Sequence, residues 1–258
     1  MLARYGIMED GQATDEKAGM HMDISLFMTP LETRPALLAG AAAVVIDALR
    51  MTSTSATAFA NGCAALYAVR EVEEARALRA SVPDALLGGE RHGVLIEGFD
   101  LDNSPLSFSR ARVAGRRLIM TTTNGTWAIT GVAAARRVLL GAFVNASAVA
   151  RALLDERSVV IQCAGTDDRL SLEDVLAGGA IVERLLALGA RAHLDDAAQA
   201  ALTLWRAQGA DLHAALRDTH HYNVMLRGGQ RADLDFCLRT DVLDAVPVRG
   251  ADGWFHAE

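Results

Sequence analysis

From Ala41 onward the chain alternates between short, near-continuous aliphatic runs and segments of helical character. Val44-Val45-Ile46, Ala65 to Val69, Ala85 to Leu87, Leu118 to Met120, Val138 to Leu140 and Val159 to Cys163 have strand length and carry almost no polar residue. Between them lie the Ala-rich stretch Ser53 to Asn61, the charged amphipathic Glu71 to Arg79, the segment after Gly125, Ala146 to Asp155 and the long Leu172 to Leu188. A strand with one wet face alternates apolar and polar residues. A strand that is apolar throughout is covered on both faces, and helices between such strands supply the covers. The pattern therefore predicts an α/β fold, a three-layer α/β/α arrangement around a mainly parallel or mixed sheet. Residues 22–258 read as one domain or as two closely packed subdomains dividing near residue 115. Residues 193–227 read as mostly helical, with Leu234–Leu238 and Ala245–Val248 as late edge strands.

The 258 residues are 51% hydrophobic and 22% charged, enough apolar material for a sizeable core. No apolar stretch approaches the ~20 residues of a membrane span. A net charge of −7 with no basic stripe argues against a nucleic-acid surface. Isolated arginines in an acidic body suit a small anionic ligand instead. Cys63, Cys163 and Cys237 are odd in number, far apart and without CxxC spacing, which points to a reducing, cytoplasmic setting and no structural zinc. Residues 1–21 lack a signal-peptide core and read as a polar, disordered extension. Met20 and Met22 stand directly before the first strand-like segment, as candidate internal starts. The Ala- and Leu-rich helices near 193–217 offer a face for a homodimer.

In open α/β sheets ligands bind beyond the carboxyl ends of the strands. Reading only those ends collects Asp47 and Arg50 with Thr52, Ser53 and Thr54, then Glu90 and Arg91, then Thr121 to Thr126, then Glu173 and Asp174. Carboxylates, arginines, hydroxyls and glycines at one edge suit a phosphate held by guanidinium and N–H groups beside a hard divalent cation. The stretch TTTNGT is the sharpest feature: free N–H groups gather at a strand-to-helix junction, and Gly125 lets an anion approach the backbone. Each feature has a plainer reading. Asp47 can be a helix cap, Arg50 can pair with Asp47 or Glu90, Ser171 and Asp174 have capping-box spacing, and Cys163 can be a small buried hydrophobe. The polar segment Gly98 to Pro105 is long for a compact domain and reads as a functional loop. The histidines show no ligand spacing, and no GxSxG, Walker or GxGxxG motif occurs.

Taken in order, VVIDALRMTSTSATAFANG, LLGGERHG, GFDLDNSP, TTTNGT, and CAG followed by LEDVLAGG resemble the 2-phosphosulfolactate phosphatase family, as does the tail HHYNVMLRGGQRADLDFCLRTDVLDAVPV. The resemblance runs from about Asp23 to Val248. Three positions depart from the family pattern. Ala48 and Met51 stand in apolar places of the usual VLRATST and leave its polar residues intact, and Asp102 replaces the usual glycine of DLGNSP, adding a charge to that loop.

The resemblance implies a magnesium-dependent phosphomonoesterase that converts (2R)-2-phospho-3-sulfolactate to 3-sulfolactate and phosphate, a step of sulfolactate metabolism and coenzyme M biosynthesis. On that basis Asp47 and Glu173, aided by Asp174 or Glu90, are expected to hold Mg²⁺. Arg50, the hydroxyls of Thr52, Ser53, Thr54 and Thr122, and the N–H groups of Thr123, Asn124, Gly125 and Thr126 are expected to hold phosphate. Asn103 and Ser104, or Arg91, are expected to bind the sulfonate or carboxylate. The attacking group is either a metal-activated water or Asp47 itself, through an aspartyl-phosphate. The competing class is an α/β protein that binds another phosphorylated metabolite.

Overall fold

The computed structural model describes residues 21–258; the expectations for residues 1–20 lie outside the described residues. In chain order the strands are β1 (His21–Phe27), β2 (Ala42–Ile46), β3 (Ala65–Ala68), β4 (Leu86–Arg91), β5 (Val94–Leu95), β6 (Arg117–Thr121), β7 (Arg137–Gly141), β8 (Ser158–Cys163), β9 (Arg191–Leu194), β10 (Pro247–Arg249) and β11 (Phe255–Ala257). They form one sheet in the order β5-β4-β6-β3-β11-β10-β7-β2-β8-β1-β9. Two parallel blocks, β4-β6-β3 and β7-β2-β8-β1-β9, are joined by the antiparallel β10–β11 hairpin. The steps β3–β11, β11–β10 and β10–β7 are all antiparallel, so the blocks run in opposite senses along the sheet.

The aliphatic runs are strands because both their faces are covered. Every residue of β2 is buried, and its side chains divide by parity: Ala42, Val44 and Ile46 enter one apolar cluster, Ala43 and Val45 another. β8 does the same with Val159, Ile161 and Cys163 against Val160. Layers of helix on both sides of a mostly parallel sheet give the three-layer α/β/α fold. The helix Leu172–Ala187 crosses beneath the central strands, where Gly178 and Gly179 let it lie close. A methyl at 178 would stand 2.9 Å from Leu26, and one at 179 would collide with the backbone of Ala201 in the helix Asp196–Gln208.

The sheet runs on across residue 115: β6 pairs with β3 and β4, and β7 and β8 pair with β2. Two expectations are corrected. Residues 234–238 do not form a strand; Arg231–Cys237 is a helix that buries Leu234, Cys237 and then Leu238, a three-to-four-residue period rather than two. The strand near Ala245–Val248 is not an edge: β10 lies inside the sheet, between β7 and β11. No helix among the described residues is long and apolar enough to cross a membrane.

Candidate functional site

The ends of β2, β4 and β6 and the loop after β8 meet the C-terminal helices around a cavity of about 370 Å³. Asp47, Arg50, Glu90, Asn103, Thr123 and Asn124 line it, together with Asp167, His220, His221 and Gln230. Convergence from opposed blocks is possible because the helix Gly125–Gly131, which follows β6, packs on β2. The contact is made at Gly125. A Cβ there would lie 2.5 Å from Asp47 Oδ2 and 2.8 Å from Met51 Cβ. The glycine of TTTNGT thus leaves room for the carboxylate of the neighbouring block, a use distinct from cradling a phosphate.

Asp47 is 7% exposed. Its Oδ1 accepts a hydrogen bond from the Met51 N–H at 3.3 Å, while Oδ2 has no hydrogen-bond partner among the described residues. Burial raises its pKa to about 6, opposed by His221 and the Met51 N–H and reinforced by Glu90 and Glu173. Glu90 occupies part of the TTTNGT junction. Its Oε1 accepts from the Thr123 N–H at 2.9 Å and the Thr123 hydroxyl at 3.1 Å, and Oε2 from the Gly93 N–H at 2.7 Å. The first N–H of the predicted anion site is therefore filled by an anion of the chain itself. Gly89 makes that placement possible: it pairs with Thr121 at φ +148°, and a Cβ would run into the Thr121 carbonyl oxygen.

Asp174 does not close a capping box. Its Oδ1 accepts from the Ala48 N–H at 2.9 Å and Oδ2 from the Gly165 N–H at 3.0 Å, tying the loops after β2 and β8 together. Burial, then the charges of Glu173 and Asp47, push its pKa well above the usual carboxylate range. Beside it, Glu173 Oε1 meets His221 Nδ1 at 2.8 Å, and Oε2 is buried with no hydrogen-bond partner. Burial by itself lowers the pKa of His221, but its hydrogen bond to Glu173 and the charges of Glu173 and Asp47 outweigh this and raise it. Arg50 is buried and forms an ion pair with Asp233 of the C-terminal helix, whose other oxygen accepts from Ser104 Oγ at 2.6 Å.

Several predicted residues are brought together and several are turned away. Asp47, Arg50, Glu90, Asn103, Thr123 and Asn124 face the cavity. The hydroxyls of Thr52, Ser53 and Thr54 donate instead to the carbonyl oxygens of Asp47, Ala48 and Asn103, at 2.9, 2.8 and 2.9 Å. They shape the turn after β2 rather than offer donors to a ligand. Thr126 Oγ1 likewise donates to the Thr122 carbonyl at 2.9 Å. Arg91 is spent on the Arg70 carbonyl and Thr121 Oγ1, both at 2.8 Å, and lies beside a separate cavity of about 180 Å³ with Thr122 and Thr126. Ser104 is turned to Asp233 and away from the cavity. Asp102, the departure from the family pattern, accepts from the Ser104 N–H at 3.0 Å and so closes a local turn. His221 and Asp233 were not expected. Asp233 directly precedes the segment read as a strand, and His221 shows no ligand spacing, so only the polar tail pattern marked either.

Among the described residues no group of three or more His, Cys, Asp or Glu side chains converges as a metal site. Magnesium asks for less, since it binds through one or two carboxylates and keeps water and substrate phosphate for the rest. Glu173, with a buried and unpartnered Oε2, and Asp47, with a free Oδ2, fit that donor chemistry. Asp174 and Glu90 fit it less well, because both oxygens of each already accept backbone N–H groups.

A buried carboxylate and guanidinium at the strand ends of a three-layer α/β fold define a small-anion enzyme site, and the comparisons place it among phosphoric monoester hydrolases. The chain belongs to the 2-phosphosulfolactate phosphatase family, whose model matches residues 27–251. A probable 2-phosphosulfolactate phosphatase of Deinococcus radiodurans is 48% identical over 209 residues, 80% of this chain and 86% of that one. Its counterpart from Caldicellulosiruptor saccharolyticus is 40% identical, over 87% of this chain and 96% of its own. One from Symbiobacterium thermophilum is 44% identical, over 82% and 92%.

Proposed function

We propose that the protein hydrolyses (2R)-2-phospho-3-sulfolactate to 3-sulfolactate and inorganic phosphate, using Mg²⁺, as a cytoplasmic enzyme of sulfolactate metabolism. Family membership supports the phosphatase reaction and the substrate class. The observation that supports the cation is one of charge. Asp47, Glu90 and Asp167 line the cavity against a single guanidinium, Arg50, and that one is already paired with Asp233. A substrate bearing phosphate, sulfonate and carboxylate brings roughly four more negative charges into this space. Three buried free thiols are in keeping with a reducing compartment.

Glu173 would hold Mg²⁺ directly and Asp47 through a water, and the cation when bound would neutralise phosphate charge and make water more acidic. The chain's own residues do the remaining work. Arg50 donates to the phosphate oxygens, and Asn124 lines the same cavity. Asp47 is mostly ionised at neutral pH, with a pKa of about 6 suited to proton transfer. Its Oδ2 orients the attacking water and receives its proton. As the water oxygen bonds to phosphorus, the bond from phosphorus to the C2 oxygen breaks, that oxygen takes up a proton from solvent, and Asp47 returns to solvent the proton it received. Asn103, Gln230 and the His220–His221 pair line the space left for the sulfonate and carboxylate. The test is stoichiometry: purified enzyme with Mg²⁺ should release phosphate and 3-sulfolactate one for one, and stop in EDTA. Folded protein that releases neither would refute the reading.

A further inference from the structure

Arg50 does not meet the cavity as a free cation. Its guanidinium is buried and shares its charge with Asp233, 183 residues away on the helix Arg231–Cys237. Asp233 is 5% exposed and does not line the cavity. Its second oxygen is filled by the Ser104 hydroxyl at 2.6 Å, so the carboxylate has one partner on each side and no access to ligand. The Ser104 turn is in turn closed by Asp102. A buried carboxylate that only held the fold together could be met by any donor. This one is met by the single guanidinium of the cavity wall.

Resting on the reading of Arg50 as the phosphate-binding group, we propose that Asp233 is a positioning residue that aims Arg50 and sets how strongly it holds the phosphate product. Aiming follows from the geometry: a carboxylate fixed by Ser104 leaves the long arginine one orientation. Moderation of affinity follows from the charge. A guanidinium with a carboxylate already on one side presents a weaker field to an incoming anion than a bare one, and in a buried setting that difference is not screened away. Product phosphate carries about two charges and no sulfolactate to help it leave, so a bare Arg50 would retain it.

The neutral, isosteric variant separates the two roles. In Asp233→Asn the amide oxygen still accepts from Arg50 and the amide N–H₂ donates to Ser104 Oγ, so the aim is kept while the charge is removed. In Ser104→Ala the carboxylate loses its other partner and draws on Arg50 alone. Inorganic phosphate binding is measured calorimetrically on the full chain with Mg²⁺, alongside kcat and KM for 2-phosphosulfolactate. Asp233→Asn should bind phosphate about tenfold more tightly and show lowered kcat and KM together, the mark of slowed release. Ser104→Ala should bind it several-fold more weakly. Both variants weakening phosphate in the same direction, or neither changing it, overturns the proposal, because a purely structural Asp233 would make any damage loosen the site. Should Asp233→Asn not fold, Ser104→Ala decides alone, and unchanged or tighter phosphate binding there refutes it. Wild-type enzyme that binds phosphate but does not turn over the substrate would instead count against the substrate assignment. The sign of the two shifts would still be read from binding.

Discussion

Replacing Asp47 by Asn should make the protein more stable at neutral pH while removing its activity. Burial raises the folded-state pKa of Asp47 to about 6 from an ordinary value of 3.8. The sign follows from linkage. A carboxyl whose folded pKa is raised holds its proton more tightly in the native state. Its favourable contribution is complete below the unfolded value and is lost as pH rises through the folded one. Between pH 3.8 and about 6 the wild type therefore loses roughly two pKa units of stability, about 3 kcal/mol at ~1.36 kcal/mol per unit. That is a large part of the ~5–15 kcal/mol of a whole domain. The amide of the Asp47→Asn variant never ionises and escapes the loss. Packing differences at Gly125 and the Met51 N–H are independent of pH and cancel in the comparison. Urea melts of both proteins in EDTA, from pH 4 to 7.5, should show the difference in unfolding free energy moving about 3 kcal/mol in favour of the variant. Added Mg²⁺ should then stabilise the wild type more than Asp47→Asn, which keeps Glu173 but lacks the second carboxylate. A difference that stays flat across this range would show that Asp47 titrates as an ordinary exposed carboxyl, and the buried-carboxylate account of the site would fall.

Arg50→Lys keeps the charge but not the planar fork, and should lower kcat/KM on the order of 100-fold (about 3 kcal/mol); unchanged steady-state constants would remove Arg50 from the site. Gly125→Ala places a methyl 2.5 Å from Asp47 Oδ2, so kcat should fall on the order of 100-fold in a protein that still folds, as judged by circular dichroism. Gly89→Ala meets both the φ of +148° and the Thr121 carbonyl, and chemical denaturation should show a loss of about 3 kcal/mol or more. Cys163 is buried and its thiol pKa is raised well above the ordinary value, chiefly by burial. Cys163→Ala should therefore retain turnover, with a stability cost of about 1 kcal/mol; complete inactivity of the folded variant would revive a thiol nucleophile.

What the sequence showed and what it hid divide along physical lines. β2 and β8 were legible because burial on both faces writes a continuous aliphatic run, and Asp47 because a carboxylate directly after such a run has few places to be. The placement of β10 between two parallel blocks leaves no local trace: Pro247 to Arg249 reads the same at an edge or in the interior. Residues 234–238 misled because five residues hold barely more than one helical turn, too short to separate a period of two from one of three to four. The polar groups posed a different difficulty. The hydroxyls of Thr52, Ser53 and Thr54 occupy the right segment, but local spacing cannot tell a donor aimed at a ligand from one aimed at the carbonyl behind it. Glu90 and Asp174 read as site carboxylates, yet their partners at Thr123 and Ala48 come from segments 33 and 126 residues away. The Arg50–Asp233 and Glu173–His221 pairs span 183 and 48 residues, and only the folded chain brings them together.

The central claim is that this cavity uses a divalent cation to bring a sulfonated phosphomonoester, rich in negative charge, against its own carboxylates. It is tested most directly by measuring kcat/KM for 2-phosphosulfolactate and for 2-phospholactate, each with Mg²⁺ and with EDTA. The account predicts turnover that requires Mg²⁺ and favours the sulfonated substrate by at least about tenfold, the worth of one additional charge-assisted contact. Equal rates on the two substrates, or activity undiminished in EDTA, would contradict it.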